Sequence, residues 1–366
     1  MICVNQERMR KVLAEMKERK MPQLLVSDPA TIFYLTNIEI EPGERLATLI
    51  LKEDGNHVAV INRLFPVSEQ ELGMPIVKVD DTDEGFGMLG LIAQLDTEKQ
   101  IAVDKNWAAH FLLDLMKRVD KPVSNFDISS KITDDIRSIK SADEIEKMRQ
   151  VSLDNDEAID RLKKLVPKKL TELAMTKELA AIYEELGNSG FSFDPIVAYG
   201  ANGADPHHLN DDSIVKTGDS IIIDIGGVKD GYCSDMTRTF FYKDVSEKSR
   251  EVYETVLEAN LRAIAKVKPG VSFKEIDAAA RDYITEKGYG EYFTHRTGHF
   301  IGIECHEAGD VSAANHALVK PGMIFSIEPG IYLPGEVGVR IEDLVVATED
   351  GCEVLNHYPK ELTIID

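Results

Sequence analysis

The sequence predicts an α+β protein in which a smaller α/β domain precedes a larger domain built from two α-then-β halves. Three observations support this. The 366-residue length exceeds what one hydrophobic core usually organises, so two domains are expected. Helical patterns and short apolar runs alternate in the first third of the chain. Beyond it, a pair of helical patterns is followed by a β-rich block, and that order occurs twice.

Asn5 stands where it caps a helix whose apolar stripe is Met9, Val12, Leu13 and Met16, and Met21-Pro22 ends it. Short apolar runs at 24–26, 32–35, 46–51, 58–61, 76–79 and 101–103 read as strands, and 107–119 reads as a helix. The polar, aperiodic stretch 123–130 supplies the boundary. Residues 1–130 form the N-terminal α/β domain, expected to mediate dimerisation and control substrate access, and residues 131–366 form the larger domain.

Ser141-Ala142-Asp143-Glu144 is a capping box that opens a long helix with Ile145, Met148, Val151 and Ser152 on one stripe. A second long helix is expected from about Ser246 to Val267. A third opens at the box Ser272-Phe273-Lys274-Glu275 and stops near Lys287-Gly288, where glycine suits the cap. Asn155 followed by Ala158-Ile159 resembles Asn260 followed by Ala263-Ile264, and Pro167 then Thr171 echo Pro269 then Ser272. β-rich blocks follow at 195–241 and 300–365. This repeat predicts two halves, each with helices packed on one side of an antiparallel sheet.

Hydrophobic residues make up 43% and charged residues 29%, which is ample for a core. A net charge of −22 argues against a nucleic-acid backbone or an anionic membrane surface as partner. No apolar leader and no run of membrane-spanning length are present, so a cytoplasmic location is expected. Cys3, Cys233, Cys305 and Cys352 form no C-x-x-C pair and read as free thiols.

The chemistry concentrates in the last 143 residues, which contain Asp224, Asp235, His299, Glu328 and Glu342. Ile221-Ile222-Ile223 and 237–241 read as the arms of a hairpin. A loop at Lys229-Asp230 places Asp224 opposite Asp235. A loop at Asp230-Gly231 places Asp224 opposite Thr237, with Asp235 diagonal on the same face. Either register brings the carboxylates within roughly 5–8 Å, whereas a three-residue loop without a bulge separates them. The bland alternative is one solvated aspartate and one paired with Arg238.

His299 and His306 are seven residues apart, which on a regular strand puts them on opposite faces; Gly298 and Gly302 permit the backbone that converges them. Glu328 stands at a strand end before Pro329-Gly330. Glu342 is read inside a strand, a poor place for glutamate unless paired or ligated, with Arg340 as the bland partner. His57, His110, His316 and His357, which lie outside the clusters His207-His208 and His295, His299 and His306, read as surface or core, and the acidic tracts 80–84 and 211–212 as solvated loops. Four carboxylates and an imidazole gathered in one place repel one another strongly unless hard divalent cations sit among them.

These residues stand in recognisable strings: Phe193-Asp194-Pro195-Ile196-Val197, Pro206-His207, Asp224-Ile225-Gly226-Gly227, the run from Gly231 to Thr239, Gly298-His299, His306-Glu307, Ile327-Glu328-Pro329-Gly330 and Arg340-Ile341-Glu342-Asp343. The chain thereby resembles the pita-bread metallopeptidases: methionine aminopeptidase, aminopeptidase P and Xaa-Pro dipeptidase (prolidase). The likeness is strong over about residues 135–366 and looser before that, where Ile139-Lys140-Ser141 and the smaller domain look like the prolidase and creatinase branch. One departure is Phe300, where the family commonly has glycine. Phe300 is therefore expected to reshape the pocket wall or substrate preference.

The resemblance implies a pita-bread fold with two divalent ions per subunit, Mn²⁺ first and Co²⁺ or Zn²⁺ as alternatives. It implies that Asp224 holds one ion, that His299 and Glu328 hold the other, and that Asp235 and Glu342 bridge both. Glu328 would also shuttle the proton of the attacking water, while His207 and His306 would hydrogen-bond the reacting centre. Xaa-Pro dipeptides are the expected substrate, with aminopeptidase P action on longer Xaa-Pro peptides as the alternative. Arg340 by resemblance, and Arg45 more speculatively across a homodimer, would read the substrate carboxylate. A metal-free creatinase-like hydrolase and a non-catalytic pita-bread binding protein are the competing classes; the complete ligand set opposes both.

Overall fold

The computed structural model describes residues 4–366; Cys3 lies outside the described residues, and Cys233, Cys305 and Cys352 are free thiols. The chain divides into two compact units, Met1–Arg137 and Ser138–Asp366.

The first unit is built on a six-stranded mixed sheet. Its order is Ile76–Val79, Val58–Asn62, Ala47–Lys52, Gln23–Val26, Ile101–Val103 and Phe126–Ile128. The helix Gln6–Glu18 is capped by the Asn5 side chain and buries Met9, Val12 and Met16, as its spacing predicts. Two expectations need correction. The run 32–35 is not a strand but lies in the helix Pro29–Thr36: Asp28 caps Thr31 N–H and Pro29 occupies the first turn, so end signals override β-branched content. The units divide after Arg137 rather than at 130/131. The polar stretch supplies the edge strand Phe126–Ile128, and the helix Ser130–Arg137 that follows also belongs to the first unit.

The second unit repeats one design. Its first half has helices α1 (Ala142–Leu165) and α2 (Glu172–Glu185), then strands β1 (Ile196–Tyr199), β2 (Ser220–Ile225) and β3 (Met236–Tyr242), paired antiparallel. Its second half has α3 (Glu247–Lys266) and α4 (Phe273–Glu286), then β4 (Gly298–Phe300), β5 (Glu307–Val311) and β6 (Ile324–Ile327). A hairpin follows, β7 (Gly330–Leu333) and β8 (Val337–Arg340), and then β9 (Asp343–Ala347). The expected capping boxes at Ser141 and Ser272 both form, and Ser246 caps α3.

The repeat weakly visible in sequence is explicit in contacts. Buried Asn155 on α1 donates to Ile225 O at 3.1 Å, and buried Asn260 on α3 donates to Ile327 O at 3.0 Å and to Ile341 O at 3.2 Å. The helix-capping residues Thr171 and Ser272 each form an isolated antiparallel bridge, to Ile214 and Leu318.

Strand alternation decides which side chains are free for chemistry. Ile221, Ile223 and Ile225 of β2 share a core with Ile159, Leu162 and Leu179 of α1 and α2, so Asp224 points to the opposite face. Phe300, Phe325 and Ile327 share a core with Val256, Phe273 and Ile276 of α3 and α4, so His299, and Glu328 just past β6, lie on the helix-free side.

Candidate metal centre

The hairpin adopts the second of its two open registers. Thr237 pairs with Asp224, and Lys229 pairs with Tyr232 across Asp230-Gly231. Both turn residues have positive φ, 51° and 76°, the geometry of a type I′ turn, for which Asp-Gly is well suited. Between β2 and this turn the chain passes Gly226, where an added Cβ would stand 2.0 Å from Ser192 Oγ and 2.2 Å from Ser234 O; only glycine fits.

The five expected ligands converge. His299 Nε2 lies 3.4 Å from Asp235 Oδ2 and 3.5 Å from Glu328 Oε1. Ligand atoms of Asp235, His299 and Glu342 all lie within 4.8 Å of one another. Thr237 Oγ1, opposite Asp224, donates to Glu342 Oε2 at 2.8 Å. Gly298 permits the close crossing of β4 and β6, since a Cβ there would sit 1.9 Å from Ser326 O. Ser326 Oγ accepts from His299 N–H at 2.9 Å and donates to Glu328 Oε1 at 3.2 Å.

The bland pairings do not occur. Arg238 pairs with Asp343 and Arg340 pairs with Asp224, at 2.7 and 2.6 Å, so neither Arg238 with the hairpin aspartates nor Arg340 with Glu342 is the arrangement. Glu342 is also not inside a strand. It occupies the two-residue break between β8 and β9, where its N–H donates to Thr237 O.

The buried carboxylates are electrically uncomfortable. Burial, reinforced by Asp235, Glu328 and Asp224, pushes Glu342 well above the usual carboxylate range. Burial pushes Asp224 up to about 6 against the pull of Arg340. Burial also raises Glu328, but His299, His295 and Arg340 outweigh it and hold that carboxyl below its ordinary value. His299 is lowered by burial, yet Asp235 and Glu328 overcome this and raise it. Among the described residues, the buried carboxylate oxygens with no hydrogen-bond partner are Asp224 Oδ1, Asp235 Oδ1 and Glu342 Oε1. Three such orphans in one place fit divalent cations, which take oxygen ligands and remove the repulsion.

A cavity of about 770 Å³ opens onto these residues, and His207 and His306 line it. Both are exposed at its surface. Their loops are pinned by buried glutamates. Glu172 accepts from Tyr199 N–H, Asn202 Nδ2 and Asp211 N–H and contacts His208 Nε2 at 2.6 Å, fixing the segment that carries His207. Glu307 accepts from Ile303 N–H and pairs with buried Lys140 at 2.9 Å, fixing the segment that carries His306. The rings of His299 and His306 meet edge to face at 4.2 Å, so the irregular segment between the glycines does converge them.

Phe300 does not shape the cavity wall. It is buried against Phe273 and Phe325, ring centroids 5.1 and 5.7 Å apart, and Gly309 leaves the space it needs. Arg45, in the first unit, binds Asp81 through Nε at 3.0–3.1 Å, so the 80–84 tract is not merely solvated. Sequence reasoning missed Tyr332, whose hydroxyl joins His295 Nε2 and Arg340 Nη1 at 2.8 Å each. It also missed Cys305, whose thiol donates to Asp235 at 3.4 Å. The proximity of His295 to His299 in sequence was the available signal for the first; Cys305 offered none.

A model of metallopeptidase family M24 matches residues 146–349, and one of the creatinase/prolidase N-terminal domain matches residues 8–139. The chain belongs to the M24 metallopeptidases. As an M24 member it is 34% identical over 359 residues to an uncharacterized peptidase of Staphylococcus aureus, covering 96% of this chain and 99% of that one. It superposes on the prolidase from Thermococcus sibiricus with a TM-score of 0.90 and 33% identity, covering 98% of each chain. The X-Pro aminopeptidase from Thermotoga maritima gives a TM-score of 0.80 and 30% identity, over 95% of this chain and 99% of that one. The expected creatinase-type N-terminal domain and pita-bread domain are thus both present. Among the described residues no helix is long and apolar enough to cross a membrane.

Proposed function

We propose that this M24 metallopeptidase hydrolyses Xaa-Pro dipeptides with two divalent cations per chain. The observation that carries this reading is the group of orphaned buried oxygens on Asp224, Asp235 and Glu342 beside His299 and Glu328. In it Asp224 would hold one cation, His299 and Glu328 would hold the other, and Asp235 and Glu342 would contribute to both. Ligation rich in carboxylates with one imidazole favours Mn²⁺, with Co²⁺ or Zn²⁺ as alternatives.

Bound cations would polarise the scissile carbonyl and make a water acidic enough to attack near neutral pH. The chain's own groups do the rest. Glu328, held below the usual carboxylate range, takes the proton of that water and passes it to the leaving nitrogen. Proline's nitrogen carries no N–H in the peptide and must be protonated to leave. His207 and His306, at the cavity surface, donate hydrogen bonds to the oxyanion and the leaving group.

The dipeptide preference is supported by the likeness to the Thermococcus sibiricus prolidase over 98% of each chain. Aminopeptidase P action on longer peptides is the second reading, favoured by the likeness to the X-Pro aminopeptidase. A cytoplasmic homodimer completes the proposal, its assembly tested by sedimentation. The deciding assay compares Leu-Pro with a longer Xaa-Pro peptide on Mn²⁺-loaded protein. Faster cleavage of Leu-Pro is expected; preference for the longer peptide sinks the dipeptidase reading, and turnover of neither sinks both.

A further inference from the structure

A dipeptide brings a requirement that the metal ligands do not meet. The carboxyl carbon of an Xaa-Pro dipeptide lies two bonds from the scissile nitrogen, so whatever reads that carboxylate must stand in the wall of the same cavity. The wall is otherwise hostile to it, since Asp194, Asp224, Asp235, Glu328 and Glu342 all line it. Two arginines and no lysine line it among the described residues, Arg340 and Arg296.

Arg340 is committed elsewhere. It is 3% exposed, and its three nitrogens donate to Thr237 Oγ1, Tyr332 Oη and Asp224 Oδ2 at 3.1, 2.8 and 2.6 Å. A buried guanidinium in that position orients Asp224 and Tyr332 and has little left to offer a substrate.

Arg296 is the opposite case. It is partly exposed, and among the described residues its guanidinium has no hydrogen bond, ion pair or ring contact. It stands three residues before His299 and next to His295, whose Nε2 contacts Tyr332.

We propose that Arg296 determines specificity by reading the free C-terminal carboxylate of the dipeptide. The assignment rests on the dipeptidase reading above. A guanidinium offers two parallel N–H donors that match a carboxylate, and it has no competing acid to release first. A longer peptide presents an amide at the same place and leaves the desolvated cation without a counter-charge, which discriminates against it.

The test uses full-length, Mn²⁺-loaded protein with Leu-Pro and Leu-Pro amide as paired substrates. Arg296→Gln should raise KM for Leu-Pro by about tenfold to hundredfold, the worth of a charge-assisted hydrogen bond, and should improve cleavage of the amide, which no longer faces an unpaired cation. Arg296→Lys, which keeps the charge but loses the fork, should fall between. Retained amide turnover shows that the variant is folded. An unchanged KM for Leu-Pro in Arg296→Gln, or an equal loss on both substrates, overturns the assignment. Failure of the unaltered protein to cleave Leu-Pro would instead remove the dipeptidase reading on which it rests.

Discussion

The two halves of the second unit share a scaffold and divide the chemistry unequally. In each, a buried asparagine on the leading helix holds the carbonyl of the residue that ends a core strand, Ile225 in one half and Ile327 in the other. The first half then delivers Asp224 and Asp235 from a single hairpin. The second half delivers His299, Glu328 and Glu342 from three separate segments, and its asparagine must hold Ile341 O as well. Ligands from one hairpin depend on turn geometry, whereas ligands from three segments depend on packing.

That contrast can be broken at several points. The largest effect is expected from Asp235→Asn, which removes the charge of a proposed metal ligand: activity should fall on the order of a thousandfold, comparable to losing a main electrostatic stabiliser. Its circular dichroism should be unchanged, and retained turnover would remove Asp235 from the mechanism. Next, Asn260→Ala removes the partner of Ile327 O, Ile341 O and Lys360 Nζ, and Asn155→Ala that of Ile225 O and the buried Tyr183 hydroxyl, so urea unfolding should show losses of about 2–4 and about 1–3 kcal/mol, respectively. Equal losses would mean that the second half is no more dependent on packing than the first. Gly231→Ala forces a Cβ into a φ of 76° and should cost about 1 kcal/mol while lowering metal affinity through the hairpin register. Phe300→Leu should cost about as much or less and leave substrate preference unaltered, because the ring faces the helix-packed core.

Acidity sharpens the comparison further. Asp224, pushed up to about 6, and Glu342, also held well above its ordinary range, bind protons in the folded chain that an unfolded chain releases near about pH 4. Without cations Asp224 costs stability progressively as pH rises from about 4 through about 6, and Glu342 acts with the same sign. Glu328 has the opposite sign: held low, it contributes stability that is lost only as pH falls through its folded value. Cations bind the deprotonated forms, so the rise in Tm on adding Mn²⁺ should grow with pH across that window. A rise that stays flat across it would contradict the charge argument.

Much of this was legible in the chain. The capping boxes at Ser141 and Ser272 fixed where two helices begin, because the signal is local and chemical. Asp230-Gly231 named the turn, though the sequence left a second register open until both φ values were seen to be positive. All five proposed ligands carried their own signal, a carboxylate or imidazole in an apolar, glycine-marked setting. What the sequence hid was pairwise and long-range. Nothing local distinguishes Arg340, spent on an aspartate 116 residues away, from Arg296, whose guanidinium has no such partner among the described residues. The burial of Phe300 likewise depended on Gly309 making room across the sheet. In the first unit, the apolar run 32–35 looked like a strand because periodicity cannot separate short buried helices from strands; Asp28-Pro29 was the cue that decided it.

The central claim is that Asp224, Asp235 and Glu342 carry buried oxygens left for cations. Elemental analysis of the purified protein after Mn²⁺ loading and dialysis, alongside Asp235→Asn and Glu342→Gln, tests it most directly. About two divalent ions per chain in the unaltered protein, falling in both variants, is the predicted result. Less than one ion per chain, or a content unaffected by both substitutions, would contradict it.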